Sequence, residues 1–254
     1  MKTWALALLV ALPAAAGEIA PADRRSGFDF MSRENQAMQQ DDGANPGMLW
    51  VQDGAALWRD RPAPSAPACA ECHGEAAETM RGVAARYPAF DAASGGPVDL
   101  AERINICRTE RQQASPLPAE SQPLLGLTAF VAHQSREQPI APPEDPRLAP
   151  YRARGEALYR QRMGQLDFAC AQCHDDNWGK RLAGSVIPQA HPTGYPLYRL
   201  EWQGLGSLQR RIRGCLTGVR AEPFPPGAAE YVELELYLMW RARGLPLETP
   251  AIRP

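Results

Sequence analysis

Two pentapeptides, Cys69-Ala70-Glu71-Cys72-His73 and Cys170-Ala171-Gln172-Cys173-His174, stand 101 residues apart in a chain of 254. Each is a C-x-x-C-H motif, the attachment signature of c-type haem. Chemistry sets that spacing. Two thiols one helical turn apart can add to the two vinyl groups of one porphyrin edge, and the histidine beside the second thiol then reaches the iron from one face. A zinc site would need four closed ligands, and a thioredoxin-type redox motif would need a βαβ setting. Neither surrounds these motifs. The pattern predicts two covalently bound c-type haems, held by Cys69, Cys72, Cys170 and Cys173, with His73 and His174 as axial ligands.

The motifs belong to a longer repeat. Arg103-Ile104-Asn105-Ile106-Cys107 is echoed by Arg211-Ile212-Arg213-Gly214-Cys215, both reading R-I-x-x-C at an offset of 108. An apolar helical stretch from Leu127 to Arg136 is echoed by Leu234 to Arg243 at an offset of 107. Constant order with slowly drifting offsets is what two copies of one domain with loop insertions would give. Helical periodicity dominates, as in Arg152–Arg162 and Glu230–Arg243, while alternating β-branched runs are scarce. The 25 prolines and 21 glycines imply long irregular loops. The fold class expected is mostly α: two cytochrome c-like haem domains in tandem with long irregular loops. A haem supplies the apolar bulk that a small, loop-rich domain lacks.

Boundaries follow from composition. Lys2, the apolar run Trp4 to Leu12 and Ala14-Ala15-Ala16 read as a cleaved secretory signal peptide over 1–16, which implies export to the periplasm. Residues 17–47 form an N-terminal extension expected to pack over a domain or a partner. The first domain is placed at 48–140, a proline-rich linker at 141–150, and the second domain at 151–254. No later stretch is apolar for the ~20 residues a membrane span requires. With 27 basic and 29 acidic residues, the charge balance gives no support for nucleic-acid binding.

Two cysteines remain. Cys107 and Cys215 recur at equivalent places after their motifs, each with arginine four positions earlier, and the simplest reading makes each the distal thiolate of its haem. The competing reading is a Cys107–Cys215 disulfide, which equivalent positions in separate pockets would hardly form. The spare histidines, His133 and His191, are not equivalent between halves, and His133 reads as a packed helix residue. Cys215 lies among Arg210, Arg211, Arg213 and Arg220, whereas Cys107 has Glu102 and Glu110 beside its arginines. Positive charge favours thiolate over thiol. The second centre is therefore the better candidate for drawing in a small dianion.

These residues resemble the SoxA family, the dihaem subunit of the SoxAX cytochromes of thiosulfate oxidation. The likeness is carried by the two CxxCH motifs with their later cysteines, by ERINICR around Cys107, by LTAFVAHQSR, and by the ending RRIRGCLTGVRAEPFPPGAAEYVELELYLMWRARGLPLETPAIRP. The resemblance implies an L-cysteine S-thiosulfotransferase that joins thiosulfate oxidatively to a cysteine of the carrier SoxYZ. It further implies a heterodimer with the monohaem SoxX and an acceptor cytochrome c that takes two electrons. By motif position, His174 and Cys215 would ligate the active-site haem, Cys215 would be the catalytic sulfur, and Arg211 would match the family's active-site arginine. His73 and Cys107 would serve an auxiliary haem. The alternative is a dihaem electron-transfer cytochrome with cysteine distal ligands and no sulfur chemistry of its own.

Overall fold

Two pairs of helices cross at glycines, and those crossings organise the molecule. The computed structural model describes residues 18–254; the expected signal peptide lies outside them. The ten α-helices among the described residues are α1 (Arg33–Gln40), α2 (Met48–Arg59), α3 (Cys69–His73), α4 (Ala76–Thr79), α5 (Leu100–Glu110), α6 (Gln122–His133), α7 (Ala149–Arg160), α8 (Cys170–His174), α9 (Leu208–Gly218) and α10 (Ala229–Arg241). In the first half, α2 packs on α6. A Cβ on Gly54 would lie 2.1 Å from the carbonyl oxygen of Gly126. In the second half, α7 packs on α10, and a Cβ on Gly155 would lie 2.0 Å from the carbonyl oxygen of Glu233. Only a residue without a side chain lets the backbones come this close.

Short strands complete the repeat. β1 (Ala89–Asp91) and β2 (Gly96–Val98) form an antiparallel hairpin, with Asp91 opposite Gly96. β3 (Arg181–Leu182) and β4 (Ser185–Val186) form a small hairpin of their own. β5 (Leu197–Arg199) and β6 (Gly204–Gly206) reproduce the first hairpin, with Arg199 opposite Gly204. β7 (Ile252–Arg253) adds to β5 in parallel. Each main hairpin feeds a capped helix. Asp99 accepts from the Glu102 amide to start α5, and Ser207 accepts from the Arg210 amide to start α9. The motif helices α3 and α8 are held at their entrances by Glu71 and Gln172, which accept from the amides of Ala68 and Ala169.

The first core gathers Val51, Trp58, Leu125, Leu127 and Phe130. The second gathers Tyr159, Leu208, Leu234, Tyr237 and Leu238. A third apolar cluster, with Ala132, Ile140, Met239, Ala242 and Leu247, joins the halves. The mostly helical class expected from sequence is the one observed. The helices expected at Arg152–Arg162 and Glu230–Arg243 run from Ala149 to Arg160 and from Ala229 to Arg241. The proline-rich stretch is free of helix from 141 to 145, turns through a 3-10 helix at Pro146–Leu148 and enters α7 at Ala149, and it is not a free spacer. Glu137 and Ile140 donate to the carbonyls of Leu247 and Leu245, and Leu247 donates back to Gln138. The side chain of Ile140 is buried. The N-terminal extension docks on the second half. Gln39 accepts from the Ile252 amide and from Arg253, Asn45 donates to the Pro250 carbonyl, and Gln189 exchanges hydrogen bonds with the backbone of Asp23 and Arg25.

Candidate haem centres

In each half the returning helix brings its lone cysteine back over the motif. α5 carries Cys107 to Cys69 and Cys72. Desolvation is the main influence raising the thiols of Cys69 and Cys107, and Cys107 and Cys72 respectively add like-charge repulsion. α9 carries Cys215 to Cys170 and Cys173. Burial pushes Cys170 up to about 12, and both thiols are raised further by the Cys215 sulfur. All six cysteines are unpaired, so Cys107 and Cys215 are not bridged. The two sets of three sulfurs expected from sequence are thus assembled separately, one in each half.

The two motif histidines differ in setting. The ring nitrogen Nδ1 of His174 lies 2.6 Å from the carbonyl oxygen of Pro188. A carbonyl can only accept, so Nδ1 is the donor and Nε2 carries the free lone pair. Desolvation lowers His174 to about 4, which keeps the ring neutral at physiological pH. A neutral imidazole with its second nitrogen tied to a carbonyl is a pre-oriented metal ligand. His73 is exposed and lies with its ring centroid 5.6 Å from that of Trp58, whose indole donates to the Gly74 carbonyl. Both thiol pairs, both histidines and both distal sulfurs fit covalently held haem. The second site is the more enclosed.

The arginines around Cys215 do not act together. Arg210 lies over the Trp202 ring at 4.2 Å, Arg213 bonds the Tyr231 hydroxyl, and Arg220 is exposed on the loop after α9. Arg211, one helical turn before Cys215, is the one whose charge is felt by both His174 and Tyr195. Tyr195 is pushed up to about 12 by burial first, with Arg211, Arg253 and Arg199 opposing and the Cys215 sulfur adding. Tyr195, Arg199 and Cys215 therefore share one neighbourhood.

Sequence reasoning missed a buried network behind His174. Asp175 pairs with Arg241 and accepts from the Tyr159 hydroxyl at 2.8 Å, while the Arg241 guanidinium lies 4.4 Å above the Tyr159 ring. The adjacency of Asp175 to the motif was the only signal available. His191 is buried and donates Nδ1–H to the Arg25 carbonyl at 2.7 Å, and His133 is packed at the end of α6.

A duplicated helical domain, each copy holding a CxxCH helix beneath a cysteine on a returning helix, defines a c-type cytochrome. The SoxA/TsdA cytochrome c domain family matches the chain twice, over residues 53–140 and 154–247. The chain belongs to the SoxA family. It is 38% identical over 94% of its length to the L-cysteine S-thiosulfotransferase subunit SoxA of Pseudaminobacter salicylatoxidans, of which it covers 85%. It is 35% identical over 90% of its length to the corresponding protein of Rhodovulum sulfidophilum, of which it covers 80%. The crystal structure of SoxXA from P. pantotrophus superposes with a TM-score of 0.87 at 31% identity, covering 91% of this chain and 87% of that one. Among the described residues, no helix is long and apolar enough to cross a membrane.

Proposed function

We propose that this chain is the catalytic dihaem subunit of an L-cysteine S-thiosulfotransferase, working in the periplasm after removal of residues 1–16. It pairs with a SoxX-like monohaem cytochrome c, serves a SoxYZ-like carrier, and passes electrons to an acceptor cytochrome c. The first domain, 48–140, holds an auxiliary haem through Cys69, Cys72, His73 and Cys107. The second, 151–254, holds the active-site haem through Cys170, Cys173, His174 and Cys215. The observation that carries this reading is the asymmetry between the centres. Cys107 has acids among its neighbours, whereas Cys215 sits one turn after an arginine that has no ion-pair partner among the described residues.

When bound, haem supplies one-electron redox capacity and a cationic metal that stabilises thiolate. The chain's residues supply the rest. The Cys215 thiolate and the outer sulfur of thiosulfate form an S–S bond with loss of two electrons, leaving a Cys215 thiosulfonate. The carrier thiolate then attacks the outer sulfur. The bond to Cys215 breaks, the Cys215 thiolate is restored, and this exchange has no net redox change. Bringing two anions together is the electrostatic obstacle. One guanidinium at 4 Å offsets it by about 4 kcal/mol at an effective dielectric of 20, before desolvation is counted. Arg211, one helical turn before Cys215, is the residue assigned that task.

The test is mass spectrometry of the carrier after incubation with thiosulfate, the haem-loaded heterodimer and oxidised cytochrome c. Carrier thiosulfonate should form with two cytochromes reduced per adduct. Cys215→Met should keep two covalent haems by pyridine haemochrome and lose the adduct. A Cys215→Met protein that conjugates normally would leave only the electron-transfer reading.

A further inference from the structure

From Tyr87 to Arg108 and from Tyr195 to Leu216 the two halves align without a gap at an offset of 108 residues. The hairpin register is the same, the helix caps fall at Asp99 and Ser207, and the arginines at Arg103 and Arg211. Two substitutions within this frame reverse a charge beside the arginine, Glu102 to Arg210 and Asp91 to Arg199, and the second is the one that changes its partner. In the first half the frame closes on itself. Arg103 donates to Asp91 at 2.6 Å, and its charge also acts on the Tyr87 hydroxyl. In the second half the counterpart of that carboxylate is a second guanidinium, and the counterpart of Glu102 is Arg210.

Arg199 is only 13% exposed, and its Nε is buried without a hydrogen-bond partner. Its terminal nitrogen bonds Glu201 at 2.7 Å, but that carboxylate is 66% exposed and is therefore a screened partner. Arg253, the other cation near Tyr195, is committed to Glu248, Gln39 and the Ile252 carbonyl. The charges of Arg199 and Arg211 both act on Tyr195, and they fill the positions of the contacting Asp91 and Arg103 of the first half; two guanidinium groups so placed repel each other until an anion joins them, and a sulfonate offers three acceptor oxygens to planar donor forks.

We infer that Arg199 is a second substrate-binding cation of the Cys215 centre, holding with Arg211 the sulfonate end of thiosulfate so that its outer sulfur faces Cys215. This rests on the proposed thiosulfate chemistry. The first centre offers no such site, because Asp91 already pairs with Arg103 there.

Replacing Arg199 by aspartate rebuilds the pairing of the first half. In the haem-loaded heterodimer, Arg199→Asp should raise the KM for thiosulfate roughly 30-fold or more, with kcat changed only a few-fold, as loss of a charged hydrogen bond to substrate predicts. Arg199→Lys should recover most of the affinity. Calorimetric binding of thiosulfate to the oxidised heterodimer should weaken in parallel, and this readout does not require turnover. Absence of conjugation by the wild-type protein would remove the proposed function, leaving the binding measurement to decide the role of Arg199. A wild-type KM and binding constant in Arg199→Asp would overturn the inference, and so would an equal loss in Arg199→Lys.

Discussion

His174 donates its Nδ1–H to the carbonyl of Pro188 at 2.6 Å, and this bond fixes the nitrogen left for metal. The carbonyl lies 14 residues downstream, so the loop after α8 orients the ligand that α8 presents. His73 occupies the same place in its motif but is exposed beside Trp58. The repeat therefore supplies two copies of one attachment chemistry in two settings. One is enclosed, and its Arg211 has no ion-pair partner among the described residues. The other is more open, and its arginine is neutralised.

The two distal cysteines should consequently respond differently to the same change. Cys215→Met is expected to lower conjugation more than about 10³-fold, as loss of a covalent nucleophile does. Cys107→Met is expected to lower it by less than roughly tenfold, because no bond to substrate sulfur is assigned to it. Steady-state cytochrome c reduction with carrier and thiosulfate measures both. Equal losses would show that the centres share the chemistry.

Asp175 and Arg241 form an ion pair whose side chains are only 4% and 2% exposed. Removing one partner leaves an uncompensated buried charge. Asp175→Asn is therefore expected to destabilise the folded protein by about 3–5 kcal/mol. Urea unfolding of the haem-loaded chain, followed by far-ultraviolet circular dichroism, measures the shift. A loss below about 1 kcal/mol would mean that water reaches Arg241.

The glycine crossings carry their own expectation. At Gly155 an added Cβ would meet the Glu233 carbonyl at 2.0 Å and Tyr237 Cβ at 3.0 Å, so α7 and α10 must separate. Gly155→Ala should cost about 1–3 kcal/mol, the usual range for overpacking, despite alanine's better helix propensity. At Gly214 on α9 a Cβ meets nothing within 4 Å. Gly214→Ala should therefore be neutral or stabilise by up to about 1 kcal/mol. Thermal unfolding of the two variants side by side checks the contrast.

Much of this architecture is legible in the chain because it is periodic. The CxxCH spacing, the R-I-x-x-C echo and the apolar helical faces are local patterns, and they locate the haem ligands and the main helices. What escaped has no period. Arg241 lies 66 residues beyond Asp175, and nothing in the spacing marks them as partners. Ile140 is a single apolar residue among prolines, so its burial against the C-terminal loop leaves no signature. The docking of residues 18–47 depends on amide side chains such as Gln39 and Asn45 meeting backbone groups, contacts that polar segments make without any sequence period. Arg199 is the intermediate case. The paired Tyr-Pro dipeptides at 87 and 195 would have extended the gapless alignment, but the meaning of Asp91 against Arg199 required the Arg103 ion pair.

A cavity of about 70 Å³ between the halves is lined by Asp99, Glu235, Tyr87 and Tyr195 among others. Asp99 is satisfied by the Glu102 amide and the Gln209 side chain. Glu235 has no such donor among the described residues. Burial first, and the Asp99 charge second, hold its carboxyl well above the ordinary carboxylate range. The folded state thus keeps a proton that the unfolded chain releases near pH 4.3. Stability falls as pH rises from that value through the raised one, because the folded state binds more protons across the window. Glu235→Gln keeps the shape and removes the titration. Its melting temperature should match that of the parent near pH 4 and exceed it at pH 8, giving a flatter profile. Asp99, also raised by burial, remains in both proteins, and because its charge acts on Glu235 the difference between the profiles reads the titration of the pair. Calorimetry of the haem-loaded proteins from pH 4 to pH 8 decides the point: parallel profiles would mean that Glu235 ionises freely in the folded state.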